Sequence, residues 1–220
     1  MSDQDWKVLL ALLGTIAGWL LAQGSSAVRL LWRRRWLRRQ LLLELEDIQA
    51  QLRQTLLHYE GLIKVAAIGG IFRVGRVPID APIYDAFFTE AYAGLNQAQR
   101  VSYKTTHAQV RAVNVGFERA NETLRSLDPR GATKEELKKR GEDWMELLKA
   151  EYLNVARAYT NVEFHLANRA KPELGDPYGD VAQWFGRHDH KAADNIAEFM
   201  KFAQGKTLAE LRVHMADRAI

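Results

Sequence analysis

Between Lys7 and Arg29 the chain runs for 21 residues, Val8 to Val28, without a charge, and six arginines follow within residues 29 to 39. As a helix rising about 1.5 Å per residue, the uncharged segment is roughly 30 Å long, the thickness of a bilayer's hydrocarbon layer. This predicts a single transmembrane helix, and the rest of the chain hangs from it. Asp3, Asp5 and Lys7 stand on one side of the segment, whereas Arg29, Arg33, Arg34, Arg35, Arg38 and Arg39 stand on the other with no acid among them. Positive charge is retained in the cytoplasm, so in a bacterial-type inner membrane the N-terminus faces outward and the following domain lies inside. A secretory signal is the rival reading, since Ala22-Gln23-Gly24 and Gly24-Ser25-Ser26 offer small residues at cleavage-like spacing. Such a signal begins with basic residues, and two aspartates precede Lys7 here.

The arginines also explain the overall charge. The sequence has a pI of about 9.3, with 31 Lys and Arg against 27 Asp and Glu. Taking away the seven basic and two acidic residues of 1–39 leaves 24 against 25, so residues 40–220 are near neutral. That argues against nucleic-acid binding and for anionic lipid headgroups as the partner of Arg29, Trp32, Arg33, Arg34, Arg35, Trp36, Arg38 and Arg39. Zero cysteines exclude disulfides, thiolate metal sites and a cysteine nucleophile. Within the span, Gly14 and Gly18 form a G-x-x-x-G, a spacing that lets two membrane helices approach closely.

After the arginines, Leu41, Leu45, Ile48, Leu52, Thr55, Tyr59 and Leu62 recur at alternating spacings of four and three. That is a heptad seam on a long amphipathic helix. Its partner is either the protein's own later helices, the favoured alternative, or the same helix of a second copy. The chain divides into four segments: 1–28 tail and membrane helix, 29–39 basic juxtamembrane segment, 40–79 extended helix and connector, and 80–220 cytoplasmic helical domain. The glycines at 69, 70 and 75 fit neither phosphate-loop pattern.

From Asp80, expected to cap a helix opening at Pro82, the chain reads as all-α. A stripe from Tyr103 to Leu127, a stop at Asp128-Pro129-Arg130-Gly131, and a second stripe from Leu137 to Leu166 predict an antiparallel hairpin. Thr133 with Glu136 and Thr207 with Glu210 are capping boxes. A short helical turn over 181–185 and a separate helix capped by Asp189 are expected between them.

Two constellations carry candidate chemistry. Arg100 and His107, with six residues between them, share a helix face, and the R-x6-H spacing resembles that of the HEPN ribonucleases, all-helical dimers that cleave RNA with such a pair. Val101 departs from that family, where a polar residue usually follows the arginine. His188-Asp189-His190, with His165 upstream and Asp194 or Asp217 downstream, supplies nitrogen and carboxylate ligands suited to a divalent metal. It faintly resembles the His…His-Asp…Asp order of HD-domain phosphohydrolases. Neither set is a complete catalytic site, and no cofactor is indicated. The expected function is a membrane-anchored helical interaction or regulatory domain that self-associates or recruits a protein partner. The alternative is a toxin or phage-defence effector, either bilayer-disrupting or a HEPN-like ribonuclease.

Overall fold

The computed structural model describes residues 3–71, 78–126, 133–174 and 179–217; the side chains at 3–5, 7–9, 11, 22, 27, 126 and 214–217 are not among those described. The turn expected at Asp128 to Gly131 and the glycine at 75 lie outside the described residues. Six helices succeed one another: α1 Asp3–Ala67, α2 Pro82–Tyr92, α3 Gln97–Ser126, α4 Lys134–Ala167, α5 Asp180–Ala203 and α6 Leu208–Asp217. Among the described residues there is no strand, and the all-α expectation holds.

The first helix joins the expected membrane segment, the arginine segment and the heptad seam into one 65-residue rod. Its two ends meet different surroundings. From Trp6 to Arg33 every described side chain is exposed, including Leu10, Leu12, Leu13, Ile16, Trp19, Leu20 and Leu21. Burial begins at Leu37 and continues through Leu41, Leu45, Ile48, Leu52, Thr55, Tyr59 and Leu62. The seam therefore packs within the chain, against its own helices, and Leu41, Leu45, Ile48 and Leu52 are not free to pair with a second copy. Among the described residues no helix is long and apolar enough to cross a membrane. The crossing expected of residues 8–28 is thus unsupported there. Gly14, Thr15, Gly18, Gln23, Gly24, Ser25 and Ser26 dilute the hydropathy of the segment, and five of its 21 side chains are not described.

At its far end α1 closes in a Schellman motif. Gly70 N–H donates to the Val65 carbonyl and Gly69 N–H to that of Ala66, both at 2.9 Å, with Gly69 at a φ of 77°. That left-handed position suits a residue without a Cβ, which accounts for the glycine pair.

The hairpin forms as expected. Ser102 faces His165 at one end, and Gly116 and Arg119 face Glu151 further along, so α3 and α4 run antiparallel. In the same way Phe164 meets Trp184, Arg157 meets Asp189 and Tyr152 meets Phe199, which sets α5 antiparallel to α4. Against the expectation of a short turn and a separately capped helix, α5 is continuous from Asp180. Asp189 lies within it, where its carboxylate takes the Arg157 guanidinium from α4. The capping boxes at Thr133/Glu136 and Thr207/Glu210 are both present.

The hairpin's first helix starts at Gln97, six residues earlier than the apolar stripe suggests. Asn96 accepts from Gln99 N–H at 2.9 Å while the Gln99 side chain accepts from Asn96 N–H at 3.0 Å, a capping box built from amides.

Because Leu45 is fully buried and Leu43, about 200° round the helix, is 43 % exposed, the two positions separate core packing from helix propensity. Leu45→Ala is expected to lower unfolding stability by about 2–5 kcal/mol and Leu43→Ala by roughly 0.5 kcal/mol or less, read from urea denaturation midpoints.

Candidate functional site

The arginine segment is where the free part of α1 meets the bundle, and α2 is the element that meets it there. Trp32 and Trp36 lie one helical turn apart on α1 and are both exposed. With Phe87 of α2 and the stem of Arg33 they line an open hollow of about 410 Å³. The Arg33 guanidinium grips Glu90 of α2 through both nitrogens of its fork, Nη2 donating to Oε2 at 2.9 Å. This contact raises the pKa of Arg33 and lowers that of Glu90, chiefly through the shared hydrogen bond. Both partners are well exposed, so the pair positions α2 more than it stabilises the fold. Arg38 lies beside Gly94, where an added Cβ would come within 3.2 Å of Nη2. Arg29 donates back to Ser25, at both carbonyl and hydroxyl. Arg34 is half-buried, and Arg35 and Arg39 are exposed.

The other end of α2 is held from within. Its first turn has no side-chain cap of its own: Ala81, and not the expected Asp80, is the N-cap residue, with Pro82 in the first turn. The orphan N–H groups of Ile83 and Tyr84 instead donate to Glu44 of α1, at 2.6 and 3.0 Å. A carboxylate from another helix thus supplies the cap, favoured by the positive end of the helix dipole. Glu44 is buried, and desolvation raises its pKa against the lowering effect of those two donors. The heptad pattern alone puts Glu44 among the polar residues of the seam's outer face. Just before α2, Asn114 holds Ile79 by a matched pair of 2.9 Å bonds to its N–H and C=O.

Beneath α2 lie the two buried histidines. His107 is 1 % exposed, stacked under Tyr84 with ring centroids 3.6 Å apart, and neither ring nitrogen has a hydrogen-bond partner among the described residues. Burial, with Arg111 and His165 nearby, lowers its pKa to about 3. The neutral ring at 4.0 Å from Glu44 is therefore not a salt bridge at neutral pH. His165 is also fully buried, its Nδ1 2.8 Å from Ser102 Oγ, and desolvation lowers its pKa to about 4.

These placements decide what the sequence candidates can do chemically. Arg100 is turned away to Tyr92, donating to its carbonyl at 3.0 Å and covering its ring at 4.2 Å. His107 lies inside the core, so the two do not meet on an open face where an RNA 2′-hydroxyl could be presented. His188 Nδ1 bonds the Trp184 carbonyl and His190 Nδ1 that of Gly186, each within α5, while His165 lies in the core. Among the described residues no three His, Asp or Glu side chains gather as a metal site. Tyr152 and Trp144 are core residues, and Asn195 donates to the Tyr152 hydroxyl.

A larger open groove of about 750 Å³ runs beside Ile71, Leu137, Trp144, Met145 and Met200 at the opposite end of the bundle. The lysines on its rim are already matched, Lys149 with Glu146 and Lys138 with Glu142. Its described lining is mainly apolar, with Arg140, Glu142 and Gln204 among the polar residues.

With pKa values near 3 and 4 in the fold against about 6.5 unfolded, His107 and His165 stay neutral while the unfolded chain takes up protons first. Their contribution is complete above about pH 7 and is lost as pH falls through 6.5 toward 4, by roughly 2 kcal/mol per histidine between pH 7.5 and 5. Glu44, whose pKa burial raises above the ordinary 4.5, acts in the opposite sense, adding stability as pH falls through its raised pKa toward 4.5. His107→Phe is expected to remove about half of that loss in urea titrations at the two pH values. Comparisons with protein-family models, with curated proteins and with solved structures find no match to the chain, so its functional reading rests on this geometry.

Proposed function

We propose that the protein is a membrane-tethered helical domain that presents its bundle at the cytoplasmic face of the inner membrane, pairing with a second copy or recruiting a protein partner there. The observation that carries this reading is the division of α1. Its first part exposes apolar side chains on every described face, and its second part is the buried strut of the bundle. A helix that is apolar all round needs an apolar solvent or a partner. The 21 uncharged residues have the length for a bilayer, and the arginines that follow have the sign for its cytoplasmic side.

Self-association through the free part of α1 accompanies this reading. A Cβ added at Gly14 or Gly18 would meet nothing within 4 Å, so the face that a second helix would use is open. A partner helix at this face is also in keeping with the bilayer-disrupting alternative, whereas burial of His107 weighs against the ribonuclease.

The full chain expressed in bacteria is expected to stay in the membrane fraction through a high-salt wash. Residues 29–220, which retain Leu37 and the Arg33–Glu90 contact, should be extracted by that wash as a folded helical protein. Extraction of the full chain by salt alone overturns the tether. Gly14→Leu is expected to shift the detergent-solubilised protein toward monomer by light scattering; an unchanged mass removes this face from any pairing.

A further inference from the structure

On the tether reading the uncharged segment lies in the bilayer, and the depth of the residues after it is set by the rise of the helix. If Val28 marks the hydrocarbon boundary, Trp32 lies about 6 Å beyond it and Trp36 about 12 Å, at 1.5 Å per residue. The headgroup layer is about 5–8 Å thick on each side. Trp32 and Arg33 therefore fall within it, with no linker in which the chain could turn away, because α1 is helical throughout. Glu90, bound to Arg33, brings the last turn of α2 to the same depth.

Resting on that reading, we propose that α2 is a second membrane contact. Trp32 lies at headgroup depth, Trp36 and Phe87 continue from it into an aromatic platform at the inner edge of that layer, and the cations around it take anionic phospholipid headgroups. Charge supports the assignment. Of the two acids on α2, Glu90 is neutralised by Arg33, and Asp85 lies two residues from Phe87, about 200° round the helix and so away from the platform. Arg100 and Lys104 of α3 approach the Tyr92 ring at the same end of α2, at 4.2 and 5.2 Å, and Arg38 stands beside Gly94. Exposed indoles beside guanidinium groups have the composition favoured at a membrane–water interface. The platform fixes which side of the bundle faces the bilayer, which a single helix free to rotate about its axis does not.

The absence of cysteine gives a direct test, since any introduced cysteine is unique. The full chain carrying Ala93→Cys, exposed just after α2, or Lys139→Cys, exposed at the far end of α4, is labelled with a fluorophore. Each is reconstituted into vesicles of phosphatidylcholine and phosphatidylglycerol containing a headgroup nitroxide quencher. Both proteins are expected to float with the vesicles, with strong quenching of the Ala93 probe and little of the Lys139 probe. Co-flotation with equally weak quenching at both positions overturns the α2 contact while leaving the tether intact; failure to float overturns the tether and the contact with it. In the Ala93→Cys background, Trp32→Ser with Trp36→Ser is expected to reduce the quenching, and unchanged quenching removes the aromatic platform. Quenching undiminished in pure phosphatidylcholine removes the role of anionic headgroups.

Discussion

Burial of the stripe Leu37, Leu41, Leu45, Ile48 and Leu52 is the interaction on which the remaining helices depend. Helix α2 lies against the start of that stripe, through Arg33 and Glu44, α4 packs on α1 and ends near Glu46, α3 and α5 pack on α4, and α5 and α6 also meet α1. Each of these leucines and the isoleucine is fully removed from water. At roughly 25 cal/mol per Å² of apolar area, such a row supplies a large share of the favourable term in folding. The polar contacts refine its arrangement. Lys64, buried beside Glu60, reaches the rings of Phe199 and Phe202 on α5, and Glu151 packs so closely on Gly116 that a Cβ there would meet its carboxylate. A buried pair of this kind selects one register among several that apolar packing alone would tolerate.

The same helix that organises the core also leaves it, and this has a mechanical consequence. No proline interrupts α1, and the small residues Gly24, Ser25 and Ser26 lie within the helix, where Arg29 reaches back to Ser25. Sharp kinks arise at prolines, Gly/Ser pairs, π-bulges or inserted groups; Gly24 to Ser26 is such a pair, whereas from Ala27 to Leu37 no proline, glycine or serine interrupts the helix. A tilt or rotation of α1 beyond Ser26 is therefore carried into the bundle as rigid-body motion. A flexible juxtamembrane linker would absorb it.

Periodicity and local capping chemistry set how much of this fold is legible in the sequence. The seam from Leu41 to Leu62, the hairpin stripes and the boxes at Thr133 and Thr207 are patterns within one element, and each has a mechanism that acts over four residues or fewer. The illegible part is tertiary. Glu44 caps a helix 39 residues away in sequence, so no local signal separates it from a solvated seam residue. Asp189 has the chemistry of an N-cap but lies within a continuous helix, where its carboxylate takes the Arg157 guanidinium of α4, a partner 32 residues away in sequence. Asn96 and Gln99 did carry a legible capping pattern, in amides in place of the hydroxyl and carboxylate of the usual box. The paired histidine and arginine on α3 share a helix face as their spacing requires, yet one side of that face is core at His107 and rim at Arg100. Spacing fixes an angle around a helix and says nothing of what covers it.

The placement of polar groups along α2 links the fold to its proposed setting. At the inner end a buried carboxylate, Glu44, meets two backbone donors; at the outer end an exposed carboxylate, Glu90, meets an exposed guanidinium. The first contact is strengthened by its low-dielectric surroundings, and the second is screened by water and salt. Helix α2 is thus anchored at the end that faces the core and only steered at the end that faces the arginine segment.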